Sequence, residues 1–138
     1  MFFQGATGKN LDILKRTMDV ATLRRNVIAD NIANSDTPNF KRTVVNFESQ
    51  LKSALDSETS RRHLQFVTHE RHIPFDRPLD YREVKPRLVL DYLTTAKNNG
   101  NNVDIEEEMM GLLQNQLLYQ TVAQALASEY SRINLVLR

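Results

Sequence analysis

The stretch IEEEMMGLLQNQLLYQTVAQALASEYSRINLVL, residues 105–137, decides the fold. Counting forward from Ile105 in alternating steps of four and three visits Met109, Leu112, Gln116, Tyr119, Ala123, Leu126, Tyr130, Ile133 and Leu137, and nine of these ten positions are apolar. An apolar repeat near 3.5 residues, with no Pro and a single Gly111 inside it, predicts one helix with a seam built for another helix. At 1.5 Å per residue such a helix runs to about 50 Å, longer than a small domain is wide. It therefore needs a partner along its length.

Upstream, Asn98-Asn-Gly-Asn-Asn102 is a turn cluster that delivers the chain into this helix. Asp104 stands at the N-cap, and Glu107 follows at capping-box spacing. Glu106, Glu107 and Glu108 complement the positive end of the helix dipole, while Arg132 and Arg138 sit towards the negative end.

The partner is legible near the other terminus. Leu11, Leu14, Met18, Ala21, Arg25, Ile28 and Ile32 follow the same alternating step, so residues 11–34 are predicted as a second heptad helix. Ile13, Val20, Leu23 and Val27 form another apolar stripe roughly opposite the first, and Met110, Leu113 and Leu117 form a second row on the C-terminal helix. Two stripes on one helix read either as the central helix of an ordinary bundle or as one face for the chain's own partner helix and one for neighbouring subunits. Gln116 and Arg25 are the polar exceptions in the two seams and are expected to set register or face a neighbour.

The N-terminal helix is expected to stop near Asn34, where Asn34, Ser35, Asp36 and Thr37 favour turns and Pro38 drives Thr37 towards extended backbone. Asn39 follows Pro38 at the position where a type II turn requires positive φ, and Phe40 is an apolar anchor for the outgoing chain. The fold class is thus mainly α: two long terminal helices in an antiparallel coiled coil, with a small irregular middle. The organisation is a lead-in over residues 1–10, the helix over 11–34, a turn and middle segment over 35–103, and the helix over 104–138, all within one structural domain. In the middle segment, residues 41–45 read as extended, 47–55 as a short amphipathic helix after Asn46, and 64–67 and 87–90 as short strands of a possible hairpin.

Composition bounds what such a chain does. It has 138 residues, a formal charge of +1 and no cysteine, which excludes disulfides, thiolate nucleophiles and sulfur-ligated zinc. The balanced charge argues against a nucleic-acid surface, and Asp12, Asp19, Asp30 and Asp36 dilute the basic pairs Lys15-Arg16, Arg24-Arg25 and Lys41-Arg42. No apolar run has membrane-spanning length, and residues 1–8 lack the form of a secretory signal, so a soluble chain without a cleaved leader is expected. His63, His69 and His72, with Asp76 and Asp80, match no familiar ligand spacing and read as loop residues. No nucleotide loop or nucleophile motif is present, so neither enzyme activity nor a cofactor or metal is expected.

Residues 26–40, Asn-Val-Ile-Ala-Asp-Asn-Ile-Ala-Asn-Ser-Asp-Thr-Pro-Asn-Phe, resemble the N-terminal signature of bacterial flagellar rod and hook proteins. Asn31, Ala33, Asn34, Thr37 and Phe40 match that signature, while Asp30 replaces an Asn and Asn39 stands after Pro38 at the usual Gly. Residues 100–109 resemble the C-terminal motif Gly-Asn-x-Val-Asp-x-x-x-Glu-Met of proximal rod subunits, carried here by Gly100, Asn101, Val103, Asp104, Glu108 and Met109. The run His69-Glu-Arg-His72-Ile73-Pro74 also resembles their middle segment.

The resemblance implies a structural subunit of the basal-body rod that assembles helically around the export channel and transmits torque to the distal rod and hook. It implies export by the flagellar type III system into the periplasmic space. The implied partners are copies of itself, rod proteins of the FlgC, FlgF and FlgG types, and a FliE-type adapter with the export gate at the rod base; nucleic acid and membrane insertion are not implied. The alternative is a cytosolic coiled-coil adaptor or chaperone in a discrete complex.

Overall fold

The structure is a computed structural model, which describes residues 5–59, 69, 71–72, 79–94 and 98–137. In chain order its elements are α1 (Ala6–Ala33), β1 (Thr43–Asn46), α2 (Glu48–Thr59), a 3-10 turn (Tyr81–Glu83), β2 (Arg87–Leu90) and α3 (Ile105–Val136). The chain divides into two compact units, one formed by Met1–Val45 with Leu88–Arg138 and the other by Asn46–Arg87.

The first unit is organised by α1 against α3. Asn31 contacts Glu108, Ile28 lies against Gly111, and Asn115 bonds to Ala21, so positions rise along one helix as they fall along the other. The pair is antiparallel. Helix α1 begins at Ala6, five residues before Leu11, with Gly5 as its N-cap and Lys9 N–H donating to Gly5 O at 3.2 Å. The apolar period starts later than the helix because its first turn carries small and polar residues that a periodicity count does not register. The N-cap offers no side-chain bond, so the backbone alone closes that turn.

The face that α3 turns inward differs from the heptad row counted from Ile105. Its buried positions are Glu108, Asn115 and Val122, a strict seven-residue spacing, whereas Ile105, Met109, Tyr119, Tyr130 and Leu137 are exposed. Leu112, Ala123, Leu126 and Ile133 are half-buried at the margin, and Gln116 is exposed. The inner row therefore lies one residue ahead of the expected one, a rotation of about 100°. Gly111 lies on this face too, with Ile28 Cδ1 at an ordinary contact distance, 3.8 Å, from where a Cβ would stand.

On α1, Ala21 and Ile28 are buried, Leu11, Leu14, Met18 and Ile32 are half-buried, and Arg25 is exposed. The opposite stripe is not left for a neighbour in full. Val20 and Val27 are buried inside the chain, and Ile13 and Leu23 are half-buried. The broad apolar arc of α1 is covered by more than one straight seam.

Strands β1 and β2 form a two-stranded sheet, and Asp91 N–H donating to Arg42 O at 2.9 Å places the start of one beside the end of the other, an antiparallel pairing. β2 is where the sequence put a strand. Its partner is the extended segment after Lys41, while the other strand candidate, residues 64–67, lies outside the described residues.

The second unit has its own small core of Phe47, Ala54, Tyr81 and Val84. Helix α2 runs to Thr59, beyond the expected end at residue 55, and Ser57 supports it by donating to Ala54 O at 2.7 Å and accepting from Leu79 N–H at 3.2 Å. Asp80 caps the 3-10 turn by accepting from Arg82 N–H at 2.9 Å.

Candidate functional site

The two motifs singled out in the sequence, about 60 residues apart along the chain, meet at one junction. Helix α1 ends at Asn34, whose own N–H reaches Asp30 O at 3.1 Å and whose Nδ2 donates to the same carbonyl at 2.8 Å. Phe40 N–H to Thr37 O at 3.4 Å closes the turn over Pro38, and Asn39 takes φ 58°, the left-handed region that Asn tolerates better than other residues with a Cβ. Ala33, Pro38 and Asn39 are exposed and Phe40 is half-buried.

Asn101 enters this turn from the other side. It is fully buried, and its Nδ2 donates to the carbonyls of Asn34, Ser35 and Thr37, each at 2.9 Å. These oxygens lie just past the helix end, where the helical ladder has stopped; Asn34 O and Thr37 O also accept from Thr37 N–H at 3.1 Å and Phe40 N–H at 3.4 Å within the turn. An amide nitrogen has two hydrogens, so one of the three bonds is shared. Its Oδ1 accepts from Val103 N–H at 2.7 Å, so the whole side chain is used. Val103 beside it is fully buried.

Around Asn101 the two loops interlock through their backbones. Asn39 N–H donates to Asn99 O at 3.1 Å, and Lys41 Nζ donates to Gly100 O at 2.8 Å. Gly100 has φ 79°, and a Cβ there would lie 2.6 Å from Asn39 Oδ1. Gly100→Ala is expected to cost about 2–3 kcal/mol from left-handed strain and this clash together. Urea denaturation checks the value, and the Asn39→Gly/Gly100→Ala pair should recover the steric share.

Asn102, which the motif comparison passed over, does comparable work. Its Oδ1 accepts from Arg42 N–H at 2.6 Å, and its Nδ2 donates to Asp91 O at 2.7 Å and to Thr94 Oγ1 at 3.1 Å. The side chain thus bridges the chain just before β1 to the chain just after β2. Hydrogen bonds from the Thr94 hydroxyl and the Leu93 N–H hold the Asp91 carboxyl below its ordinary pKa.

The third layer is ionic. Asn31, buried near the end of α1, accepts from Thr43 N–H at 3.0 Å and donates to Thr43 O at 2.9 Å and to Glu108 Oε2 at 3.2 Å. Glu108 is buried and receives Arg42 Nε on its other oxygen, while Arg42 Nη1 donates to Glu107 Oε1 at 2.8 Å. Partial burial works to lower the Arg42 pKa, but the hydrogen bond to Glu107 and the charge of Glu108 outweigh it and the pKa is raised. Glu107 is therefore held by Arg42. The cap of α3 rests on Asp104, which accepts from Glu106 N–H at 2.9 Å. Met109, the last residue of the motif, points away and is exposed.

The junction is a set of saturated hydrogen bonds, with no nucleophile beside a base, and among the described residues no three metal-ligating side chains cluster. His69 and His72 stand with ring centroids 5.9 Å apart, and His63 and Asp76 lie outside the described residues. Among the described residues no helix is long and apolar enough to cross a membrane. Arg42, Asn102 and Asn115 are the structural residues that motif reading missed. Arg42 was visible as half of a basic pair, and Asn115 as a polar residue seven positions after Glu108.

Residues 11–41, which run through α1 and the Asn-rich turn that binds it to α3, match the family described as flagella basal body rod protein. The chain is 42% identical to the flagellar basal body rod protein FlgB of Borreliella burgdorferi, over 94% of this chain and 96% of that protein. It is 42% identical to FlgB of Borrelia hermsii, with 94% and 96% covered, and 36% identical to FlgB of Bacillus subtilis, with 90% and 89% covered. The chain belongs to the FlgB family of flagellar basal body rod proteins. It is a structural protein of the rod and not an enzyme.

Proposed function

We propose that the chain is a subunit of the proximal rod, assembling helically with copies of itself and with other rod proteins around the export channel, and carrying torque towards the distal rod and hook. An adapter and the export gate at the rod base are its proximal neighbours in this reading, and the flagellar type III system delivers it to the periplasmic rod. The observation that carries the proposal is the outer face of α3. Met110, Leu113 and Leu117 form a row that is 58%, 54% and 54% exposed, with Met109 beside it at 60%. Such an apolar row is expected on a chain whose final environment is another protein surface. Contacts that repeat head to tail without closing produce a tubular lattice, which is what a rod requires.

The junction supports the same reading. It ties α1 to α3 at the end from which β1 and β2 leave, so a force applied to one helix passes to the other through hydrogen bonds instead of through a hinge. A Leu113→Asp/Leu117→Asp variant separates folding from assembly, because both positions are exposed in the single chain. Its stability is expected to fall by only about 1–2 kcal/mol, from lower helix propensity and the like-charge i, i+4 pair, so the chain still folds. Cells carrying it as their sole copy should build no rod and be non-motile; normal motility would remove this face from the assembly surface.

A further inference from the structure

We infer that Asn115 is the residue that sets the register of α3 on α1. The amide is 95% enclosed at the middle of the helix pair, being only 5% exposed. Its Nδ2 donates to Ala21 O at 2.8 Å, while its Oδ1 is buried with no hydrogen-bond partner among the described residues. A half-satisfied amide is a costly occupant of a helix seam, where a leucine of nearly the same shape would be more stable. A polar group retained at such a position contributes discrimination between pairings instead of stability.

The discrimination has a structural basis. Ala21 has only a methyl side chain, which leaves its backbone carbonyl open to a group on the facing helix. Sliding α3 by one heptad would bring Asn115 against Leu14 or Ile28, whose larger side chains hold the facing helix further off and put the backbone carbonyls beyond the reach of the amide. The amide would then be buried with neither end satisfied. Apolar packing by itself is a weak guide here, since α3 carries aliphatic residues on several faces and Asn115 lies between two grooves of about 350 and 600 Å³ along the helix pair. Gln116 and Arg25, the polar exceptions visible in the sequence, are both exposed and make no such demand.

The chain has no cysteine, so two introduced ones carry spin labels without ambiguity. Asn26→Cys and Gln124→Cys are exposed positions, one on each helix. Pulsed dipolar spectroscopy on the labelled full chain should give one distance in the Asn115 parent. With Asn115→Leu, a second population displaced by about 10 Å, one heptad of rise, should appear while the melting temperature is unchanged or higher. Asn115→Ala, which removes the amide without adding bulk, should show the same second distance at a lower melting temperature. A single unshifted distance in the leucine variant overturns the inference. So does a second distance confined to the alanine variant, because that would trace the slippage to lost stability, and so does failure of both variants to fold, because the amide would then be required for stability itself.

Discussion

Replacing Asn101 by aspartate is expected to cost about 3–5 kcal/mol of folding stability, a large part of the roughly 5–15 kcal/mol that holds a typical domain together. The substitution keeps shape and keeps the acceptor for Val103 N–H. It removes both donors and turns a carboxylate oxygen towards the carbonyls of Asn34, Ser35 and Thr37, which lie 2.9 Å from the present nitrogen. Those carbonyls lose their buried donor and gain a repulsive neighbour. Equilibrium urea unfolding of the purified chain measures the loss, and amide exchange at residues 34–40 locates it. A variant that unfolds at the parental urea concentration would show that water replaces Asn101 at little cost. Asn101→Ala should be less severe, because it removes the amide donor without placing a charge against the carbonyls, and Asn34 O and Thr37 O keep their N–H donors within the turn.

Glu108→Ala is expected to cost about 2–4 kcal/mol, below the full value for breaking a buried ion pair because Arg42 keeps Glu107 and is partly exposed to water. The buried carboxylate holds Arg42 and Asn31 together, so its removal strands a donor on each. Arg42→Ala in the same background should add little further loss, since only its solvent-exposed pair with Glu107 remains. Additive losses from the two substitutions would mean that the pair is not coupled. The expected route of opening is also specific. The turn and α3 should part before the rest of the helix pair, so proteolytic cutting between residues 40 and 104 should accelerate first.

These two residues also show how far the chain can be read without coordinates. Asn101 and Glu108 were both picked out by motif, and Asn101 lies in a run of asparagines whose turn chemistry is local. Their partners were not evident. Asn101 donates to carbonyls more than 60 residues away, and nothing in a linear sequence records which backbone oxygens a distant side chain will meet. Asn102 occupied a variable position in the motif, yet it joins the chain beside β1 to the chain beside β2. Arg42 looked like part of a solvated basic pair because its two glutamates lie on the first turns of α3, where the helix dipole already accounted for them.

The amino-acid order alone determined the two long helices, their ends at Asn34 and Asp104, the left-handed turn residue Asn39 and the kinship with rod proteins, because each rests on short-range backbone preference or on a periodic apolar pattern. Only the tertiary structure decided which face of α3 meets α1. That helix has apolar residues in several adjacent rows, so its heptad count is degenerate, and a rotation of one residue changes the pattern little. The choice fell to two groups that read as surface residues in a sequence, Glu108 and Asn115, which find their partners on α1 and its turn.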